Sequence, residues 1–245
     1  MHAFIVMPIA FAAWAATMVG GLFAMALRDR LHLVLGFSAG AVIGLAFFDL
    51  LPEAIETEHL LDARGTVALS ALGFFLYTML DRVVTRAGPH DGHGHSSQQQ
   101  RQRRGWMGAG SLSAHSLLDG FAIGVAFQAS QAIGVVVAIA VLVHDFSDGL
   151  NTVNVVVKNG GNRKDALRWL VVDAVAPILG AGISLLLPFP EDAISIILAV
   201  FSGFFLYIGA SDLLPESHHA HPRLFTTFAT FLGAATLFLV TRIAQ

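Results

Sequence analysis

Cysteine is absent from this 245-residue chain, and charge is scarce: 13% of residues are Asp, Glu, Lys or Arg, against about 25% in ordinary soluble domains. Without cysteine there is no disulfide-stapled secreted fold and no thiolate zinc or redox centre. Low charge with high hydrophobicity excludes a disordered chain. The basic residues number 14, the formal net charge is −3, and no helix carries a basic cluster, which argues against a nucleic-acid partner. What the chain does have is hydrophobicity, at 55% of its residues. Hydropathy therefore overrides length as the guide to fold, and the expected class is an all-α integral membrane protein.

Apolar runs of about 20 residues mark membrane-spanning helices. Eight are expected, at Phe4–Leu27, Leu33–Leu51, Thr66–Val84, Trp106–Gln128, Ala132–Val157, Ala166–Leu187, Ala193–Leu214 and Leu224–Val240. They form one transmembrane domain over residues 1–245. The first run lacks the basic flank and small-residue cleavage site of a signal peptide, so it is expected to stay as a span.

Basic loop residues orient such a bundle, because cytoplasmic loops accumulate Lys and Arg. With eight spans, twelve of the 14 basic residues fall on one side, and only Arg64 and Arg242 on the other. Both termini are then expected outside the cytoplasm, in a bacterial-type plasma (inner) membrane. The one long polar stretch, residues 85–105, is expected to be a flexible cytoplasmic loop, being rich in Gly, Ser and Gln. Its His90, His93 and His95 alternate with small residues and suit weak capture of a borderline metal.

The string DLLPE occurs twice, at Asp49–Glu53 and Asp212–Glu216, each time nine residues after a glycine, Gly40 or Gly203. The first copy ends the second span and the second ends the seventh, on opposite sides of the membrane. That is the signature of an inverted-topology repeat, with spans 1–3 mirrored by 6–8 around spans 4 and 5.

Ionisable residues at mid-bilayer are costly and mark sites or pathways. Two spans concentrate them: His115-Ser116-Leu117-Leu118-Asp119-Gly120 in the fourth and His144-Asp145-Phe146-Ser147-Asp148-Gly149 in the fifth. Both read H-x-x-x-D-G, and residues four apart share a helix face. Two facing helices would bring both imidazoles and both carboxylates to one point, with Asp145 about 100° around its helix. Nitrogen with carboxylate oxygen suits Zn²⁺, Fe²⁺ or Mn²⁺ better than Ca²⁺ or Mg²⁺. Asp173, about a turn inside the sixth span, is a further candidate. Gly36-Phe37-Ser38-Ala39-Gly40 matches a hydrolase nucleophile pattern but lies within a membrane span, where small residues serve close packing. No H-E-x-x-H is present, and an enzyme is not expected.

At these two motifs the chain resembles the ZIP (Zrt-, Irt-like) family of divalent-metal transporters, and the resemblance extends over essentially the whole chain. It implies a metal site between spans four and five, with ligands at His115, Ser116, Asp119, His144, Asp145 and Asp148. Ser116 stands where Asn is commoner, and Ala176 precedes Pro177 where members with a second metal often carry Glu. The resemblance further implies Asp49 and Glu53 at the outer mouth, Asp212, Glu216 and His218 at the cytoplasmic exit, and Asp173 as a substitute second-metal ligand. The expected function is transport of Zn²⁺, with Fe²⁺, Mn²⁺ or Cd²⁺ as alternatives, into the cytoplasm. The metal is cargo; no cofactor is expected. Rival readings are a cation or proton channel on the same residues and, more distantly, an intramembrane hydrolase. The expected partners are metal ions and the bilayer, with a homodimer left open.

Overall fold

The computed structural model describes residues 3–26, 31–57, 61–86, 98–219 and 224–244. Those residues are helical almost throughout, with no strand among them. Helix α1 covers Ala3–Ala26. Helix α2 (Leu31–Leu45) passes through a π-helical turn at Ala46–Leu50 into α3 (Leu51–Thr57). Next come α4 (Ala63–Arg86), α5 (Gln98–Ala129), α6 (Gln131–Lys158) and α7 (Arg163–Leu186). Helix α8 (Glu191–Tyr207) runs through a second π-helical turn, Ile208–Leu213, into α9 (Leu214–His219), and α10 covers Leu224–Ala244. Counting α2–α3 and α8–α9 as single spans gives the expected eight. Seven are long and apolar enough to cross a membrane. The eighth, α5, is less apolar because it opens on Gln and Arg and carries Gly, Ser, His115 and Asp119 along its length. Its second half is instead sheltered by protein, with Ile123–Phe127 buried.

Local chemistry sets the ends. Ser130 caps α6 by accepting the Ile133 N–H at 3.2 Å. Gly160, at φ 81°, lets the chain leave α6 in the left-handed region. Asn162 and Asp165 then form a reciprocal capping box at the start of α7. One expectation is corrected here. Residues 98–105 are helix, not flexible loop: Gln and Arg favour helix, Gly105 packs against Val155 and Asn159, and Gln102 reaches the Gly160 carbonyl at 3.4 Å. The histidine-bearing residues 87–97 lie outside the described residues.

The repeat expected from DLLPE is visible in packing register. A Cβ on Gly20 would overlap the Phe146 carbonyl, and one on Gly180 the Leu117 carbonyl. Likewise Gly149 abuts Thr17 and Gly120 abuts Pro177. Phe146 and Leu117 hold the same place in their H-x-x-x-D-G motifs, so α1 meets α6 as α7 meets α5. Gly40 abuts Thr230 as Gly203 abuts Ser70, and Gly233 abuts Phe37 as Gly73 abuts Val200. Helix α2 thus meets α10 as α8 meets α4. Following register, α1 is antiparallel to α6, α6 to α5 and α5 to α7, so α1 and α7 run oppositely and the repeat is inverted.

Both DLLPE copies fold alike. Leu51 N–H bonds the Ala46 carbonyl and Leu214 N–H the Gly209 carbonyl, each five residues back. Pro52 and Pro215 explain this, because a helical proline lacks an N–H and crowds the carbonyl one turn earlier. A widened turn just before it relieves the conflict, and such turns recur at functional sites. The helices α5 and α6 occupy the centre, while α4 and α10 turn large apolar side chains such as Phe75, Met79, Phe228 and Phe231 outward, as lipid contact requires.

Candidate metal centre

Helices α5 and α6 bring His115, Asp119, His144 and Asp148 together in the buried centre of the bundle. His115 Nε2 stands 3.3 Å from Asp119 Oδ2 and 3.4 Å from Asp148 Oδ2. His144 Nε2 stands 3.4 Å from Asp119 Oδ2 and 3.7 Å from Asp148 Oδ2. One ligand atom from each residue lies within 4.8 Å of the others. Ligands at about 2.0–2.1 Å from a tetrahedral zinc ion are about 3.3–3.4 Å apart. Four nitrogen–oxygen edges therefore already have near-tetrahedral length.

The small residues explain why the helices come so close: Gly120 and Gly149, each just after its aspartate, touch the backbones of α7 and α1 and fix the depth of α5 and α6. His144 Nδ1 is 2.9 Å from the Ala140 carbonyl. A carbonyl only accepts, so Nδ1 carries the proton and Nε2 keeps its lone pair for a metal. The two imidazoles stack with centroids 5.5 Å apart, and the Tyr77 ring meets His115 edge-on.

The electrostatics are unbalanced without a cation. Asp119 Oδ2, Asp148 Oδ2 and His144 Nε2 have no hydrogen-bond partner. Asp145 is fully buried, neither of its carboxylate oxygens is hydrogen-bonded, and Oδ1 stands 3.9 Å from His144 Nε2. Among the described residues, the ion-pair partners of these three aspartates are the two histidines and no Lys or Arg. Burying carboxylates costs several kcal/mol each unless charge and hydrogen bonds compensate. Two neutral imidazoles and two carboxylates carry the charge that one divalent ion offsets.

The other candidate residues are placed differently. Ser116 donates to Asp173 Oδ1 at 2.8 Å, and Thr152 donates to Asp173 Oδ2 at 2.7 Å. Asp173 is thus tied to the site through α5 and α6 hydroxyls. Asp49 is buried in the first π-helical turn with Oδ2 unbonded, and Glu53 lies one turn on, half-buried. Asp212 lies in the second π-helical turn, and Glu216 and His218 on α9; their side chains, and His90, His93 and His95, are outside the described residues. Ser38 shares a hydrogen bond of 2.8 Å with Ser147, joining α2 to α6.

A family profile described as ZIP zinc transporter matches residues 87–241, more than half of the chain. The chain belongs to the ZIP family. It is similar to the zinc transporter ZupT of Corynebacterium aurimucosum, 27% identical over 91% of this chain and 90% of that protein. Similarity to ZupT of Corynebacterium efficiens is 31% identity over 82% of this chain and 83% of that one. The zinc transporter YKE4 of Saccharomyces cerevisiae is 23% identical over 78% of this chain and 62% of its own length.

In this ZIP protein a cavity of about 510 Å³ leads away from His115 and Asp148. It runs along the α6 face carrying Asn151, Asn154 and Lys158 and reaches exposed Ser211 and Pro215. Asp81 lines it too, accepting a hydrogen bond from Tyr207 at 3.1 Å. Sequence reasoning missed Asp81, Asn151, Asn154 and Thr152. The signal for the asparagines was available: they follow Asp148 at helical spacing in an otherwise apolar helix.

Proposed function

We propose that this chain moves divalent transition-metal cations, zinc foremost, across the membrane through the His115, Asp119, His144 and Asp148 site. The observation that carries the reading is the set of nitrogen–oxygen separations of 3.3–3.7 Å within and between helices α5 and α6, which suits a tetrahedral ion. The relatives named above, zinc transporters all, support the same cargo. Imidazole with carboxylate also accommodates Fe²⁺, Mn²⁺ and Cd²⁺. Asp145 acts beside His144 as a bridging or second ligand, and Asp173 with Ser116 and Thr152 steadies that side of the site.

Transport runs into the cytoplasm. Asp49 and Glu53 draw ions in at the outer mouth, and Asp212, Glu216 and His218 receive them at the exit, with the loop histidines His90, His93 and His95 as a weak reservoir. Support for the direction comes from the cavity, which leaves the site along the half of α6 that ends at Lys158, where the Lys- and Arg-rich connections lie. On the other side of the site Ala122, Val125, Ala126, Val137, Ala140 and Val141 are buried. A site open on one side and packed on the other favours a carrier over a channel. Proteoliposomes reporting zinc entry test the proposal. Saturable uptake is expected in the parent and its loss in His115→Ala and Asp148→Ala; undiminished uptake by both variants refutes it.

A further inference from the structure

A second cleft, of about 240 Å³, lies between the end of α1, the last turns of α6 and the start of α7. Its lining is apolar at Ala24, Met25, Val153 and Val157, with Arg163 as its cationic side chain and Asn154 as its amide. The transport reading uses none of this apart from Asn154, whose flank also lines the larger cavity. The surroundings divide the same way. Lys158, Arg163, Lys164 and Arg168, at the end of α6 and in the first turns of α7, are all exposed. Asp165 is the acidic residue among them, and it is engaged by the Asn162 N–H at 3.3 Å and Arg168 at 4.0 Å. Among the described residues Arg163 and Lys164 form no ion pair. On the same helices Leu22 and Phe23 of α1, Val157 of α6 and Val171 and Val172 of α7 are exposed apolar side chains, suited to lipid contact.

Cationic and amide donors above an apolar trough that merges with the lipid-facing surface match one ligand chemistry: a phosphodiester attached to an acyl chain. We propose that this cleft binds an anionic phospholipid, the headgroup phosphate at Arg163 with Lys164 nearby and Asn154 beneath it, and an acyl chain along Met25, Val153 and Val157. The amides at the α7 N-terminus are not needed, since Asn162 already takes the Lys164 and Asp165 N–H groups at 2.8 and 3.0 Å. Basic clefts between transmembrane helices at the cytoplasmic surface are suited to such headgroups. Asn154 shares its helix turn with the cavity leading from the metal centre, so an occupied cleft would brace the wall of that cavity.

Native mass spectrometry of the full chain in mild detergent, with phosphatidylglycerol or phosphatidylcholine added, tests this. The parent is expected to retain phosphatidylglycerol in preference to phosphatidylcholine. Arg163→Gln should lower that retention about fivefold, and Arg163→Gln with Lys164→Gln further, at about one fivefold factor per basic residue. Arg242→Gln, on exposed surface at the opposite end of the bundle, should change nothing. Both cleft side chains are exposed, so the variants fold, and an unchanged melting temperature confirms it. The proposal is overturned if the double variant retains phosphatidylglycerol like the parent, if the parent does not distinguish the two lipids, or if glycerol phosphate displaces the lipid at equal concentration.

Discussion

His144→Ala offers the sharpest test of the metal centre, read through pH. Its Nδ1 proton is committed to the Ala140 carbonyl at 2.9 Å, so metal and a second proton compete for one atom, Nε2. His115 brings the other imidazole to the same pair of carboxylates. A protonated imidazole cannot ligate, so affinity falls as pH falls. Each imidazole that must lose a proton to ligate can make binding weaken by up to about tenfold per pH unit as pH falls, so two ligands give a steeper dependence than one. The parent should therefore show the steeper rise in zinc Kd between pH 7.5 and 5.5, and His144→Ala a shallower one from a weaker start. His93→Ala, in the segment between α4 and α5, should track the parent. Isothermal titration at the two pH values decides the matter. An unchanged slope in His144→Ala would refute its role as ligand, and a flattened slope in His93→Ala would move the site to the loop.

Three further outcomes are expected. Gly149→Leu, whose side chain would drive into the Thr17 carbonyl, should cost about 1–3 kcal/mol or more and lower the melting temperature, whereas Gly182→Ala, with nothing within 4 Å of the new Cβ, should be neutral or stabilising by about 0.5–1 kcal/mol. Ser38→Ala should remove the bond to Ser147 for about 0.6–1 kcal/mol while zinc uptake persists and no serine-directed probe labels the parent, against the hydrolase reading. A cysteine at Gly94 should resist membrane-impermeant thiol reagents in intact cells; ready labelling would reverse the orientation and the direction of transport.

Much of this was legible because helical spacing is a local property. His115 with Asp119 and His144 with Asp148 fall on shared helix faces from sequence alone, and DLLPE announced the repeat. What the sequence could not supply was contact between distant segments. Asp173 of α7 takes the Ser116 hydroxyl and Tyr207 of α8 reaches Asp81, and neither contact can be read from spacing along one helix. The start of α5 was misread because Gly, Ser and Gln composition signals a loop, while packing of Gly105 on α6 favours helix. The register of the repeat was hidden for a related reason: it is carried by glycines meeting carbonyls, and backbone contacts leave little trace in side-chain identity.

That register lets the two faces of the bundle be compared residue for residue. The internal two-fold carries Asn151 onto Ala122, Asn154 onto Val125, Lys158 onto Ala129, Ser111 onto Ala140 and Asp81 onto Thr241. The backbone is duplicated, but the polarity of these positions is not: one set carries amides, a hydroxyl and charge, the other alkyl groups and the single hydroxyl of Thr241. A conformer opened on the second face would have to wet that lining at about 25 cal/mol per Å². Each 100 Å² of it would then cost about 2.5 kcal/mol, holding such a conformer to about one or two per cent of molecules. By that measure a conformer open on the second face would be the minor one, and an ion reaching the site from that side would have to meet a molecule already open to it.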